Sequence, residues 1–233
     1  MCTLIVAWRV FDGTPIVAAA NRDEALGRPS VSPGVLDHDP TVIAPQDEEA
    51  GGTWIGYNEY GLFVGVTNRR AEIDGERSRG LLVRDALAHE SQADAFQFVH
   101  DELAKRQFAG FNLLLADSSE ATVLEWDGVL ETTHLDRGIH VVVNEGMNAH
   151  APKSKRIRDA VHPEPGADVS VAEWRKQVKS VLRNHDIGAC VHGNGYGTRS
   201  SSVITIDDEG AGIYEFADGS PCETAYRNVE GHL

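Results

Sequence analysis

The chain has 233 residues, 41% of them hydrophobic, enough for one well-buried core, and it is read as one domain over residues 1–233. A formal net charge of -15, from 36 acidic against 21 basic residues, makes nucleic acid a poor partner. No apolar run reaches the roughly 20 residues of a membrane-spanning helix, and the opening MCTLIVAWRVFDG lacks a basic n-region and a small-residue cleavage site, so a cytosolic protein is expected.

Thr3 to Val10 and Pro15 to Ala20 are apolar, β-branched runs around Phe11-Asp12-Gly13-Thr14, the pattern of a hairpin. Arg28 to Glu49 is rich in Pro, Asp and Ser and reads as a long surface excursion, its apolar content confined to Val42 to Ala44. A second hairpin is expected from Thr53 to Tyr57 and Leu62 to Thr67. From Ser78 to Arg106 the period becomes helical, with Ser91 as N-cap of a second helix. Strands are expected at Phe111 to Ala116, Ala121 to Trp126 and Gly138 to Val143, then a helix at Val171 to Leu182. Ser202 to Ile206, Gly212 to Phe216 and Thr224 to Val229 read as closing strands. Strands and helices in blocks, without βαβ alternation, imply antiparallel sheets with helices outside them.

Cys2 directly follows Met1. Removal of Met1 would put a thiol and an α-amine on one residue, the amine able to act as base near neutral pH and the thiolate as nucleophile; a buried cysteine at a strand start is the plainer reading. Asn21-Arg22-Asp23-Glu24 ends the second strand and returns beside Cys2 in the expected hairpin. There Asp23 could hold the amine, and Arg22 could orient a carboxylate or stabilise the thiolate; a solvated Arg–Asp pair is the alternative. Asn68 and Asn144 end strands and suit donation to an oxyanion, although either also suits a turn. Arg199, in Gly195 to Ser202, could bind an anionic group, on a segment that otherwise reads as a flexible loop.

Cys2, Cys190 and Cys222 are odd in number and far apart, fitting a reducing compartment rather than a disulfide framework. His140, His150, His185 and His192 show no ligand spacing, so no metal and no cofactor are expected. The acidic, lysine-poor composition favours a salt-rich cytosol, with an ordinary acidic mesophilic protein as the alternative.

Met1-Cys2-Thr3, Asn21-Arg22-Asp23-Glu24, Gly51-Gly52-Thr53-Trp54-Ile55-Gly56, Thr67-Asn68-Arg69, Ser78-Arg79-Gly80-Leu81, Gly110-Phe111-Asn112-Leu113-Leu114 and Gly197-Thr198-Arg199-Ser200-Ser201 resemble, in order, the motifs of the NRDE (TANGO2-like) family. The resemblance implies an α+β fold, a four-layer αββα sandwich of two antiparallel sheets, similar to N-terminal-nucleophile hydrolases such as the bile-salt hydrolase and penicillin V acylase group. By motif, Cys2, Asp23, Asn68 and Asn144 take the catalytic positions, and Asn21, Arg22 and Arg199 are expected to bind substrate. That group has an Arg just before the Asn of its second-strand motif; here Ala20 stands there, and Arg22 follows the Asn, so the guanidinium enters from another direction. Two functions remain open: a Cys2 hydrolase of a small-molecule amide, and a non-catalytic carrier of an acyl thioester, lipid or haem.

Overall fold

The computed structural model describes residues 2–148, 152–162 and 169–230; Met1 and His150 lie outside these. The first half of the chain runs β1 (Thr3–Phe11), β2 (Thr14–Ala25), β3 (Ser30–His38), β4 (Thr41–Asp47), β5 (Ile55–Asn58), β6 (Phe63–Asn68), α1 (Arg79–Ala86) and α2 (Gln92–Lys105). The second half runs β7 (Phe111–Ala116), β8 (Ala121–Trp126), β9 (Leu130–His134), β10 (Gly138–Val143), β11 (Gly146–Met147), α3 (Pro152–Val161), α4 (Val171–Leu182), β12 (Tyr196–Ile206), β13 (Gly212–Ala217) and β14 (Arg227–Asn228).

Two seven-stranded antiparallel sheets form, in the orders β11-β10-β1-β2-β12-β13-β14 and β3-β4-β5-β6-β7-β8-β9. Period-2 alternation assigns the faces. Leu4, Val6, Trp8, Ile16 and Ala18 point between the sheets and meet Ile43, Tyr57, Phe63, Leu114 and Val123. Their neighbours Ile5, Ala7, Val17 and Ala19 point outward and pack under Ile157 of α3 and Trp174 and Val178 of α4. Leu82, Val83, Ala95 and Val99 of α1 and α2 cover Val64, Leu113 and Leu115 on the outer face of the second sheet. Three apolar layers separated by two sheets make the expected αββα sandwich. Each fully buried Val, Leu, Ile or Phe contributes about 1.5–3 kcal/mol.

The expected hairpin of β1 and β2 is present, with Leu4 opposite Ala20 and Trp8 opposite Ile16. Both α1 and α2 start on serine caps, Ser78 and Ser91, whose side chains accept from the backbone N–H groups of Gly80 and Asp94.

The expected excursion from Arg28 to Glu49 is instead the hairpin of β3 and β4. β3 is an edge strand whose pairing slips between Val31 and Gly34, which accommodates Pro33 and breaks the alternation that would have revealed it. β9, another edge strand, and α3 were also missed: β9 is mostly exposed, and α3 has few apolar residues, burying Lys153 and Ser154 beside Ile157 and Val161. The segment expected as a loop before Ser202 is strand from Tyr196, with a bulge between Thr198 and Ser200. The expected strand from Thr224 to Val229 shrinks to Arg227–Asn228.

Candidate active site

At one end of the sandwich, the N-terminal end of β1 lies beside the C-terminal halves of β2, β6 and β10. The backbone N–H of Cys2 donates to Asn144 Oδ1 at 2.8 Å, and Asn144 Nδ2 donates to the Asn68 carbonyl at 2.6 Å. One asparagine thus ties the Cys2 nitrogen to both sheets. Asn112 repeats the tie one layer below, its Nδ2 donating to the Val143 carbonyl at 2.8 Å and to Thr67 Oγ1 at 3.0 Å. Cys2 Sγ points at the Asp23 carbonyl, 4.0 Å away.

Alternation along β2 sends Arg22 between the sheets and Asp23 to the face under α3. Arg22 donates to Asp47 Oδ2 at 2.9 Å and lies 4.2 Å from the Trp54 ring centroid. Arg28 reaches the same carboxylate from the rim at 2.6 Å. The Asp23 carboxylate accepts from Thr198 Oγ1 at 2.6 Å, and its carbonyl accepts from Tyr196 Oη at 2.9 Å. Cys2, Arg22, Asp23, Asp47, Asn68 and Arg79 line a cavity of about 110 Å³.

Burial, reinforced by the negative charge of Asp23, pushes the Cys2 thiol above its ordinary pKa, while hydrogen bonding to the backbone at Asp23 and Asn68 acts the other way. Burial likewise raises Asp23 to about 6, against the opposing pull of Thr198 and of the Lys153 charge. Lys153 of α3 is 8% exposed, and its Nζ has no hydrogen-bond partner among the described residues. Burial lowers its pKa, while the charges of Asp23 and Cys2 hold it up. Arg22 and Arg79 are likewise lowered by burial.

The sequence-predicted catalytic residues therefore gather: Cys2, Asp23, Asn68 and Asn144 share this end of the molecule. Their expected roles shift. Both ends of the Asn144 amide are engaged in holding Cys2 and Asn68, so it is an anchor for the Cys2 nitrogen rather than an oxyanion donor. Arg22 hydrogen-bonds Asp47 and lies over Trp54, and the attraction between it and the Cys2 sulfur is a small effect beside the burial and the Asp23 charge that raise the thiol.

Two residues expected to bind substrate lie elsewhere. Asn21 faces α4, where its Nδ2 donates to the Leu182 and Ala189 carbonyls at 2.9 and 2.8 Å. Arg199 sits on the β12 bulge and reaches the Arg28 carbonyl at 3.5 Å, outside the cavity.

Sequence reasoning gave no role to Arg79, although it stands in a quoted motif, or to Lys153, whose only signal was its rarity among five lysines. Nor did it anticipate that His185, Cys190, His192 and Cys222 converge, with ligand atoms all within 4.8 Å of one another. Local spacing does not reveal this convergence, because the β12–β13 hairpin returns the chain 30 residues after His192 and delivers Cys222.

Comparison with known proteins completes the site's setting. The family model for Transport and Golgi organisation 2 matches residues 1–164. The Transport and Golgi organization protein 2 homolog of Homo sapiens is 26% identical over 235 residues, covering 84% of this chain and 83% of that protein. The Mus musculus homolog is also 26% identical, with the same coverage. Among solved structures, penicillin V acylase from Agrobacterium tumefaciens superposes with a TM-score of 0.59 at 18% identity, over 93% of this chain and 83% of that one. A Caenorhabditis elegans ortholog of N-acylethanolamine-hydrolyzing acid amidase gives 0.58 at 14% identity, over 87% and 92%. Conjugated bile acid hydrolase from Clostridium perfringens gives 0.54 at 12% identity, over 99% and 97%. These likenesses establish the N-terminal-nucleophile hydrolase fold.

Proposed function

The chain belongs to the Transport and Golgi organisation 2 family, and from that footing we propose that it is a cysteine hydrolase that cleaves a carbon–nitrogen amide bond of a small molecule through an acyl-enzyme on Cys2. The observation that carries this reading is the Asn144 contact: the cysteine nitrogen, and not only its sulfur, is held in place at a charged cavity. A fold that uses only the thiol has no need to fix that nitrogen.

In the proposed reaction Met1 is first removed, leaving the Cys2 nitrogen as an α-amine with an ordinary pKa of about 7.7–8.0. That amine takes the thiol proton, and the sulfur attacks the amide carbonyl. A raised thiol pKa suits this order, since the thiolate then forms only as the proton is taken. Asn68, which lines the same cavity, takes the role of donor to the developing oxyanion. The amine returns the proton to the leaving nitrogen, and water then hydrolyses the thioester. Asp23, held by Thr198 and facing Lys153, keeps the amine oriented. Arg79, and Arg22 through the Nη1 that has no hydrogen-bond partner among the described residues, favour a substrate that carries an anionic group.

The test is intact-mass analysis of the protein expressed in its own host, followed by exposure to a panel of N-acyl amino acids. The expected result is loss of Met1 and a transient acyl adduct on Cys2, with turnover falling on the order of 10³-fold or more in Cys2→Ala. Retention of Met1 in all molecules, together with unaltered ligand binding by Cys2→Ala, would establish the carrier instead.

A further inference from the structure

The second cluster of reactive side chains lies on the outer side of β12, apart from the cavity. His185 follows α4, Cys190 and His192 sit on the segment leading into β12, and Cys222 follows β13. Cys190 Sγ is 3.6 Å from Cys222 Sγ. His192 Nε2 is 3.1 Å from Cys222 Sγ and 3.9 Å from Cys190 Sγ. The rings of His185 and His192 lie 5.0 Å apart.

These separations can be compared with the edges of a metal tetrahedron. Zinc bonds of about 2.3 Å to sulfur and 2.0–2.1 Å to nitrogen, set at tetrahedral angles, place the donors about 3.4–3.8 Å from one another. The measured distances straddle that range. The donor set, two thiols and two imidazoles, is the zinc-selective combination of soft and borderline ligands.

A separate feature prepares one ligand. His185 Nδ1 lies 3.1 Å from the Cys190 carbonyl, a hydrogen bond that requires the proton on Nδ1 and leaves the Nε2 lone pair free. Metal-binding histidines are oriented in this way, by donating their other ring N–H to a carbonyl or carboxylate.

The segment carrying Cys190 and His192 is itself held tightly. Thr198 N donates to the Val191 carbonyl at 2.8 Å, and Val191 N donates to Thr198 Oγ1 at 2.9 Å. Gly197 permits this approach, since a β-carbon there would lie 2.7 Å from the Val191 oxygen.

We propose that His185, Cys190, His192 and Cys222 bind one zinc ion in a closed tetrahedral site that fastens the α4–β12 segment to the segment after β13. On binding, each thiol releases one proton to solvent and each imidazole binds as the neutral ring, so the site carries two thiolates against the Zn²⁺ charge. Four protein ligands leave no position for water or substrate, which makes the site structural. It nevertheless bears on the cavity: Val191, between two ligands, contacts Thr198, and the Thr198 hydroxyl is the one that holds Asp23. The proposal does not depend on Cys2 being a nucleophile.

The experiment uses the whole chain, purified under reducing conditions. Elemental analysis should find one zinc per chain. After chelation, Co²⁺ should restore a site with the visible bands of tetrahedral cobalt and near-ultraviolet thiolate charge transfer. Cys222→Ser and His192→Ala should weaken binding by more than the roughly 10–100-fold lost when a ligand's hydrogen-bond partner is removed, while Cys2→Ala should bind as the parent does. Zinc added to the metal-free parent should raise its melting temperature, a reading that needs no variant to fold. Absence of zinc, together with no cobalt–thiolate bands from the reduced parent, would overturn the proposal. So would cobalt bands that survive in both ligand variants, or a Cys190–Cys222 disulfide that persists in protein isolated from its own host with its thiols trapped.

Discussion

The protein holds its cysteines in two unlike settings, and the difference lies in their neighbours. Cys2 stands among charges: Asp23 behind it, Lys153 beyond, Arg22 and Arg79 along the cavity wall, and no imidazole in that lining among the described residues. Cys190 and Cys222 stand among neutral donors, each other and two histidines, with no carboxylate in the group. A thiol buried near a carboxylate is held protonated and needs a base delivered to it. Thiols facing imidazoles and one another offer lone pairs converging on a point, which a cation can use at once. The same residue type thus suits covalent chemistry at one end of β2 and metal binding beside β12. Asp23 and Thr198 link the two regions.

The strongest way to separate the regions is to unpair Arg22. Its guanidinium is 6% exposed and its partner Asp47 only slightly more, so Asp47→Ala removes its hydrogen-bonded counter-charge and leaves it only the Trp54 ring and the charge of Glu24. Breaking a buried pair in this way costs about 3–5 kcal/mol. Urea denaturation should show that loss while zinc binding by the folded protein stays unchanged. A change below about 1 kcal/mol would mean that water already reaches Arg22 and that the cavity is less enclosed than its geometry indicates.

A smaller effect should come from Asp23. Its carboxyl titrates near 6 in the folded chain against 3.8 for the ordinary group. Between those values the folded state binds the proton more tightly than the unfolded state, so Asp23 contributes stability that is present below pH 4 and is lost as pH rises through 6. The shift corresponds to about 3 kcal/mol. Asp23→Asn keeps an acceptor for Thr198 and removes the titration. Unfolding measured from pH 4 to 7 should therefore show the variant gaining on the parent across that window and then holding level. A constant difference would show that Asp23 stays ionised throughout.

Much of this was legible in the sequence where burial imposes a period. β1 and β2 alternate because they are central strands with a different core on each face, and Phe111–Ala116 and Ala121–Trp126 read correctly from their apolar runs. β3 was not legible: an edge strand has little to bury, and Pro33 at a register slip looks like a loop. The order of short motifs brought Cys2, Asp23, Asn68 and Asn144 together correctly, yet residue type did not reveal direction. Asn21 was placed with Arg22 in one motif, but adjacent residues of a strand face opposite ways, and Asn21 serves the α4 side. The metal-ligand cluster was invisible because its fourth member arrives through the β12–β13 hairpin, a contact that no local spacing encodes.

The smallest expected effect is that of salt, and it tests whether the contrast between charged and neutral settings extends to the surface. The net charge of -15 leaves many carboxylates unmatched, although some are well paired: Glu215 receives both Arg175 and Lys179, and Asp37 receives Arg84 at 2.8 Å. Screening shortens to about 3 Å at 1 M salt. It should relieve repulsion among the unmatched surface groups while hardly touching the buried Arg22–Asp47 pair, so the sign of the net effect is set by the surface. We expect the melting temperature to rise steadily with KCl to molar concentration, in parallel for the zinc-loaded and metal-free protein, because the cluster contains no carboxylate whose repulsion salt could relieve. A flat or falling curve would remove the case for a protein adapted to a salt-rich cytosol. Divergence of the two curves would mean that the metal-bound segment also orders surface charges, and that the two regions are not as separate as their chemistry suggests.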